Sequence, residues 1–207
     1  MRGREEGFAD QSVRCVFPDL GVMVGHAATV RIRTASRPPP GGIETTFRYW
    51  KSLLTVPPPR VVVVQDVDDP PGLGAFWGEV NASIHGALGC VGAVTNGSVR
   101  DLDEVRAAGF HLFAGGVSVA HAYNHVVDFG TKVRVGGLTI SPGDIIHADK
   151  HGVLLVPADV AHRVPEAAAL ISDRERDVIE LTRSKDFDLD ELRARVQRMR
   201  DAGADFH

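Results

Sequence analysis

From Val16 to Ile32 short apolar runs alternate with Gly21 and Gly25, a pattern that predicts one or two strands joined by a turn. A proline- and glycine-rich loop, Arg37 to Gly42, precedes a helical segment from Thr45 to Leu54, and Pro57 to Pro59 close it. Val61 to Gln65 is a continuous β-branched run, apolar on both faces, which predicts a strand inside a sheet. After a loop from Asp66 to Gly74, apolar Phe76, Val80, Ile84 and Leu88 recur every four residues and predict a helix ending near Gly89. Cys90 to Thr95 reads as another buried strand, Asn96-Gly97 as a turn, and Leu102, Val105 and Ala108 as a short helix closed by Gly109.

The alternation changes further on. Leu112 to Ala114 predicts a strand, Lys132 to Ile140 a hairpin turning at Gly136-Gly137, and short strands follow near Asp144 to Ala148 and Gly152 to Val156. Beyond Pro157 the spacing of Val160, Val164, Ile171, Val178 and Leu181 is helical, and Leu189 to Met199 forms a last amphipathic helix rich in arginine. Periodicity alone therefore gives a mixed α/β domain over residues 1–157. Helices over residues 158–207 are expected to pack on that domain or on a neighbouring subunit.

At 207 residues, 43% hydrophobic and 24% charged, the chain has the balance of an ordinary globular domain. A net charge of -4 with no cluster of Lys and Arg argues against a nucleic-acid binder, yet one local arginine suffices for a small anionic substrate. The two cysteines, Cys15 and Cys90, form no metal or redox motif, and a cytoplasmic location is expected. No segment approaches the roughly 20 apolar residues of a membrane span, and the charged start (Arg2, Arg4, Glu5, Glu6) is unlike a signal peptide.

Three stretches could carry chemistry. Gly72-Leu73-Gly74 to Gly78 opens a helix as a dinucleotide fingerprint would, but the third glycine is late, bulky Trp77 occupies the packing position, and no acidic residue ends the next strand. The same helix start has another use, because the N–H groups of Gly78, Glu79, Val80 and Asn81 can hold a carboxylate. The third is Thr95 to Glu104, where a buried strand delivers the opposite charges of Arg100 and Asp101 to the mouth of a helix. Taken alone, Asp101 fits a helix N-cap and Arg100 its ion-pair partner as well as they fit a ligand site.

The set Gly78-Glu79, then Arg100-Asp101, then Glu104 resembles the class II pyruvate aldolases that act on 4-hydroxy-4-methyl-2-oxoglutarate, and the related regulators of ribonuclease activity A, the RraA-like proteins. The likeness runs from about Val16 to Pro157 and takes in the Pro142-Gly143-Asp144 turn, Ala148-Asp149 and Gly152-Val153. It implies a swivelling β/β/α domain, with mixed sheets flanked by helices, assembled as a homotrimer or hexamer with sites between subunits. It also implies a carbon–carbon lyase that cleaves or decarboxylates small 2-oxo acids to pyruvate.

By that resemblance Asp101 is the sole protein ligand of Mg²⁺ or Mn²⁺, in keeping with a cation that dehydrates reluctantly. Gly78, Glu79, Val80, Asn81 and Arg100 would bind the substrate, and Arg100 would neutralise the oxygen that becomes negative as the bond breaks. Glu79 would position a catalytic water. A glutamate on the C-terminal helix of a neighbouring subunit would assist, Glu175 lying in the matching region with Glu180 nearby. The regulator branch implies a different role, inhibition of a ribonuclease by protein contact, and Glu104 favours the enzyme because regulators tend to lack an acid there.

Two departures from the family pattern stand out. Asn96 replaces an aspartate, and the helix that normally precedes the first strand is absent or altered in Met1 to Gln11. The nine histidines do not suggest a metal cluster. His121 and His125 could share a helical face, but no glutamate follows His121 in the zincin manner, and His147 and His151 merely flank Asp149. Nor is there a nucleophile elbow for a Ser-His-Asp triad.

Overall fold

The computed structural model describes residues 7–201. In chain order the first unit comprises β1 (Arg14–Cys15), β2 (Met23–Arg33), α1 (Gly42–Leu53), β3 (Arg60–Asp66), β4 (Ala75–Trp77) and α2 (Glu79–Ala87). It continues with β5 (Cys90–Thr95), β6 (Ser98–Val99), α3 (Leu102–Ala107), β7 (His111–Ala114), β8 (Gly116–Val117) and β9 (His125–Phe129). The hairpins β10 (Val133–Val135) with β11 (Leu138–Ile140), and β12 (Ile145–Asp149) with β13 (Gly152–Val156), complete it.

These elements make a mixed α/β domain around a sheet of order β1-β7-β5-β3-β2-β12-β13. Strands β7, β5, β3 and β2 are parallel. The hub is β2, long enough to serve two partners on one edge: Met23–His26 pair with β12, and Val30–Arg33 with β9. Such a strand must be apolar on both faces, and the valines of β3 show why. Val62 and Val64 face a layer with Ile32, Trp77 and Leu112, whereas Val61 and Val63 face Phe113, Leu138 and Ile146. All four valines are fully buried.

A second, three-stranded sheet, β4-β6-β8, is parallel throughout and holds the segments that matter for function. Its strands are too short to advertise themselves in the sequence.

The segment Ala158–His207 is a compact unit of its own, containing α4 (Val164–Arg183) and α5 (Leu189–Asp201). Arg195 joins the two helices, meeting the Asp177 carboxylate at 2.6 Å and Glu191 at 3.0 Å.

Several expectations are corrected. Of the one or two strands expected between Val16 and Ile32, the long one, β2, runs through Gly25, where a Cβ would lie 2.6 Å from the Pro59 carbonyl oxygen. Phe76 belongs to β4, so α2 begins at Glu79 and buries Ala82 and His85 instead of the four-residue apolar stripe; Val80 is 67% exposed. His125 starts β9, a strand with no counterpart in the sequence reading, so His121 and His125 share no helix. The altered N-terminus expected over Met1 to Gln11 lies partly outside the described residues.

Two polar networks pin the layers together. Asn96 ends β5 with its Oδ1 accepting the Asp66 N–H at 2.8 Å and its Nδ2 donating to the Asp66 carbonyl at 2.9 Å. Only an amide does both, which gives the departure from aspartate a structural reason. Between α1 and α2, the Tyr49 hydroxyl lies 2.8 Å from His85 Nε2, and His85 Nδ1 lies 2.7 Å from the Asn81 carbonyl. A carbonyl oxygen only accepts, so Nδ1 carries the proton and Nε2 accepts from Tyr49. Burial pushes the His85 pKa down from 6.5 to about 4.

Asn96→Asp removes one donor and sets a second acid next to Asp66, whose own pKa burial already raises. It should destabilise the fold by about 1–3 kcal/mol in urea titrations, with the slope unchanged. His85 sets a pH window. Its folded-state pKa lies below the unfolded value, so the unfolded chain binds more protons between pH 6.5 and about 4, and stability falls as pH drops through that range. The contribution is on the order of 3 kcal/mol. Melting curves across that window should be steeper for the native chain than for Tyr49→Phe/His85→Leu, which removes both partners together.

Candidate active site

The short parallel sheet brings distant parts of the sequence together. In it Ala75 pairs with Ser98 and Trp77 with Val99, and the Arg100 N–H donates to the Trp77 carbonyl at 2.9 Å. The chain leaves β4 through Gly78 into α2, and leaves β6 through Arg100-Asp101 into α3. Two strand ends and two helix starts therefore open at one place, the usual location for a ligand in parallel α/β structures.

Asp101 stands at the N-cap position of α3, but its side chain makes no capping hydrogen bond to that helix. Its carboxylate instead receives Arg100 Nη1 at 3.0 Å on Oδ1 and 2.9 Å on Oδ2, and the Glu79 N–H at 3.0 Å on Oδ2. Its backbone adopts the left-handed conformation (φ 53°), which costs a non-glycine residue roughly 1–2 kcal/mol and which aspartate tolerates better than most. Capping does not explain this geometry, because the carboxylate is turned away from the helix it would cap.

Gly78 makes the arrangement fit. A Cβ there would sit 2.5 Å from Asp101 Oδ2 and 3.1 Å from Arg100 Cζ. The requirement is for space, since the Gly78 backbone is extended (φ -156°) and any residue could adopt it.

Arg100 also faces an open cavity of about 200 Å³, lined by Thr46 and Trp50 of α1, Phe76, Gly78, Val80, Asn81, His121 and Asn124 ahead of β9, and His125 and Val126 at its start. That volume is below the usual range for drug-sized ligands and in keeping with a small acid. Arg100 Nε is buried without a hydrogen-bond partner. Val80 is exposed because it lines this space, which is why it departs from the buried stripe of its helix.

The residues singled out from the sequence thus take three positions. Gly78, Val80, Asn81 and Arg100 line the cavity. Glu79 and Asp101 are not among its lining residues; Glu79 is exposed and its N–H is taken by Asp101, so the first-turn donors left for an anion are those of Val80 and Asn81. Glu175 and Glu180 are exposed on α4, in the other unit, and Glu104 is exposed in the first turn of α3. The sequence reading missed Thr46, Trp50, Phe76 and Asn124. The last three carry no motif, whereas the pair His121 and His125 was visible but suggested only a metal helix.

Among the described residues no three His, Cys, Asp or Glu side chains group to hold a metal. A cation here would rest on Asp101 alone. The carboxylate fits that demand: its side chain is 30% exposed, and Oδ1 accepts a single hydrogen bond, leaving a lone pair for a hydrated divalent ion.

The family model described as RraA-like, Aldolase/RraA, matches residues 1–155. The chain belongs to that family. Its fold is RraA-like, and solved structures agree. A Pseudomonas syringae pv. tomato protein superposes with a TM-score of 0.70 at 24% identity, over 90% of this chain and 82% of that one. Streptomyces coelicolor RraAS2, a member of the RNase ES inhibitor RraA family, gives 0.65 at 23% identity, over 83% and 82%. In sequence, Legionella pneumophila DlpA is 36% identical over 87 residues, 40% of this chain but 14% of that protein. A Halalkalibacterium halodurans protein named as a candidate 4-hydroxy-4-methyl-2-oxoglutarate aldolase is 25% identical over 147 residues, 70% of this chain and 65% of its own length. The family holds both aldolases and ribonuclease inhibitors. No helix among the described residues is long and apolar enough to cross a membrane.

The pair Arg100–Asp101 is about one-third exposed on each side and should add at most about 1 kcal/mol to stability. Asp101→Asn, which keeps a residue tolerant of the left-handed backbone, should therefore unfold in urea within about 1 kcal/mol of the native chain. Asp101→Val should lose roughly a further 1–2 kcal/mol through backbone strain.

Proposed function

We propose that this chain is a divalent-metal-dependent lyase that cleaves or decarboxylates small 2-oxo acids to pyruvate. The observation that carries the reading is the Arg100–Asp101 pair, fixed against Gly78 with the guanidinium on a cavity and the carboxylate not spent on capping α3.

Mg²⁺ or Mn²⁺, held by Asp101 and otherwise by water and substrate, would supply Lewis acidity at the keto and carboxylate oxygens of a 2-oxo acid. The chain's own residues do the rest. First-turn N–H groups of Val80 and Asn81 hold the substrate carboxylate, and Arg100 offsets the negative charge that gathers on the C2 oxygen. In retro-aldol cleavage the C4 hydroxyl gives up its proton, the C3–C4 bond breaks, and its electron pair forms the pyruvate enolate. A proton then returns to C3. Decarboxylation of oxaloacetate reaches the same enolate by losing CO₂. Glu79, exposed at the start of α2, is suited to hold the water that relays protons. Glu175, or Glu180 beside it, completes the site from a neighbouring subunit of a cytoplasmic homotrimer or hexamer.

The alternative within the family is a protein that inhibits a ribonuclease by contact, as RraAS2 belongs to an inhibitor family. The lyase is favoured by Glu104 and by the small size of the cavity.

With Mg²⁺ and oxaloacetate or 4-hydroxy-4-methyl-2-oxoglutarate, pyruvate release coupled to lactate dehydrogenase should be readily measured. EDTA should abolish it, and Arg100→Ala and Asp101→Ala should each lower it by at least about 100-fold. Turnover that survives EDTA, or full activity in Asp101→Ala, refutes the mechanism.

A further inference from the structure

A cation that comes to Asp101 finds another one already there. Arg100 Nη1 lies 3.0 Å from Oδ1 and 2.9 Å from Oδ2, and these two oxygens are the only hydrogen-bond partners of the guanidinium among the described residues. The Glu79 N–H takes Oδ2 as well, at 3.0 Å. A carboxylate offers about four lone-pair sites, so these bonds leave one, on Oδ1, for the divalent ion that the lyase reading puts here.

The two cations would share a single negative charge. Arg100 and Asp101 already cancel, so a divalent ion meets a neutral pair and, a few ångströms off, a guanidinium that repels it; at that range the repulsion counts even at the dielectric of water. Little nearby offsets it. Among the residues lining the cavity Arg100 is the one permanent charge, and the Glu79 side chain is exposed, where water and salt screen it.

Nor is Arg100 needed to aim the carboxylate. The left-handed backbone of Asp101 (φ 53°) and the Glu79 N–H hold it, and neither depends on the arginine side chain. The guanidinium itself is less bound to its place. The Arg100 backbone N–H is fixed to the Trp77 carbonyl, but the side chain is one-third exposed and lines the cavity, so an anion there competes with Asp101 for its charge.

We infer that Arg100 makes cation binding at Asp101 conditional on an anion in the cavity, so that a divalent ion binds weakly alone and tightly together with a 2-oxo acid. The inference rests on the lyase reading and adds to it the dependence of one ligand on the other. An anion that takes up the guanidinium charge frees the Asp101 charge for the metal, and by linkage the metal tightens the anion by the same factor. Arg100 thus has a task before any bond breaks.

The test needs no turnover. Mn²⁺ binding to the full chain is read from the EPR signal of the free ion, with and without saturating pyruvate. Arg100→Met and Arg100→Gln, which remove the charge, should each bind Mn²⁺ alone at least about 5-fold more tightly than the native chain, and Arg100→Lys, which keeps it, should not. Pyruvate should tighten Mn²⁺ by at least about 5-fold in the native chain and by less in the two neutral variants. Neutral variants that bind Mn²⁺ no more tightly than the native chain would show that Arg100 only orients the carboxylate, and overturn the inference. A native chain indifferent to pyruvate overturns it too, a result that requires no variant to fold. Either outcome leaves the lyase standing. If the native chain binds no Mn²⁺ even with pyruvate present, the metal-dependent lyase falls and this inference with it.

Discussion

The hydrogen bond from the Arg100 N–H to the Trp77 carbonyl closes the short parallel sheet, and the site depends on that closure. It sets β6 beside β4, so that the residues following each strand emerge together. Once they do, the space between them is so small that Gly78 must lack a side chain, and the Asp101 carboxylate reaches across to the first N–H of α2. Charge pairing then follows from position. A guanidinium and a carboxylate on adjacent residues would ordinarily point apart or into solvent, but here the left-handed turn at Asp101 folds them onto each other.

Behind that closure stands the main sheet, which supplies rigidity without supplying any of the reactive groups. The buried valines of β3 and the two-sided pairing of β2 fix the ends of β5 and β7, and Asn96 ties the end of β5 to the end of β3. The cavity is completed from the other side by α1, whose Tyr49 anchors it to His85 while Thr46 and Trp50 face the open space.

Much of the framework was legible in the sequence because buried parallel strands are continuous apolar runs, and Val61 to Gln65 and Cys90 to Thr95 are that kind of run. The pair Arg100-Asp101 was singled out for a different reason, through the family resemblance, since taken alone it reads equally as a helix cap and its ion-pair partner. What escaped was short or long-range. The strands β4, β6 and β8 are two or three residues each, below the length at which a period of two can be recognised. The assignment of Phe76 to a helix failed because its four-residue spacing from Val80 is real but arises from two neighbours of one cavity. Trp50, His121 and Asn124 meet only through tertiary contacts that no local pattern encodes, and the family resemblance, which rests on Gly78 to Glu104, is silent about them.

The tight fit at Gly78 bears on how relatives with and without catalysis can share one scaffold. A methyl group at that position would occupy the place of a carboxylate oxygen while leaving the sheet, the two apolar layers and the surface unaltered. On the proposed lyase reading, loss of the Arg100–Asp101 geometry and retention of the fold are therefore one base change apart.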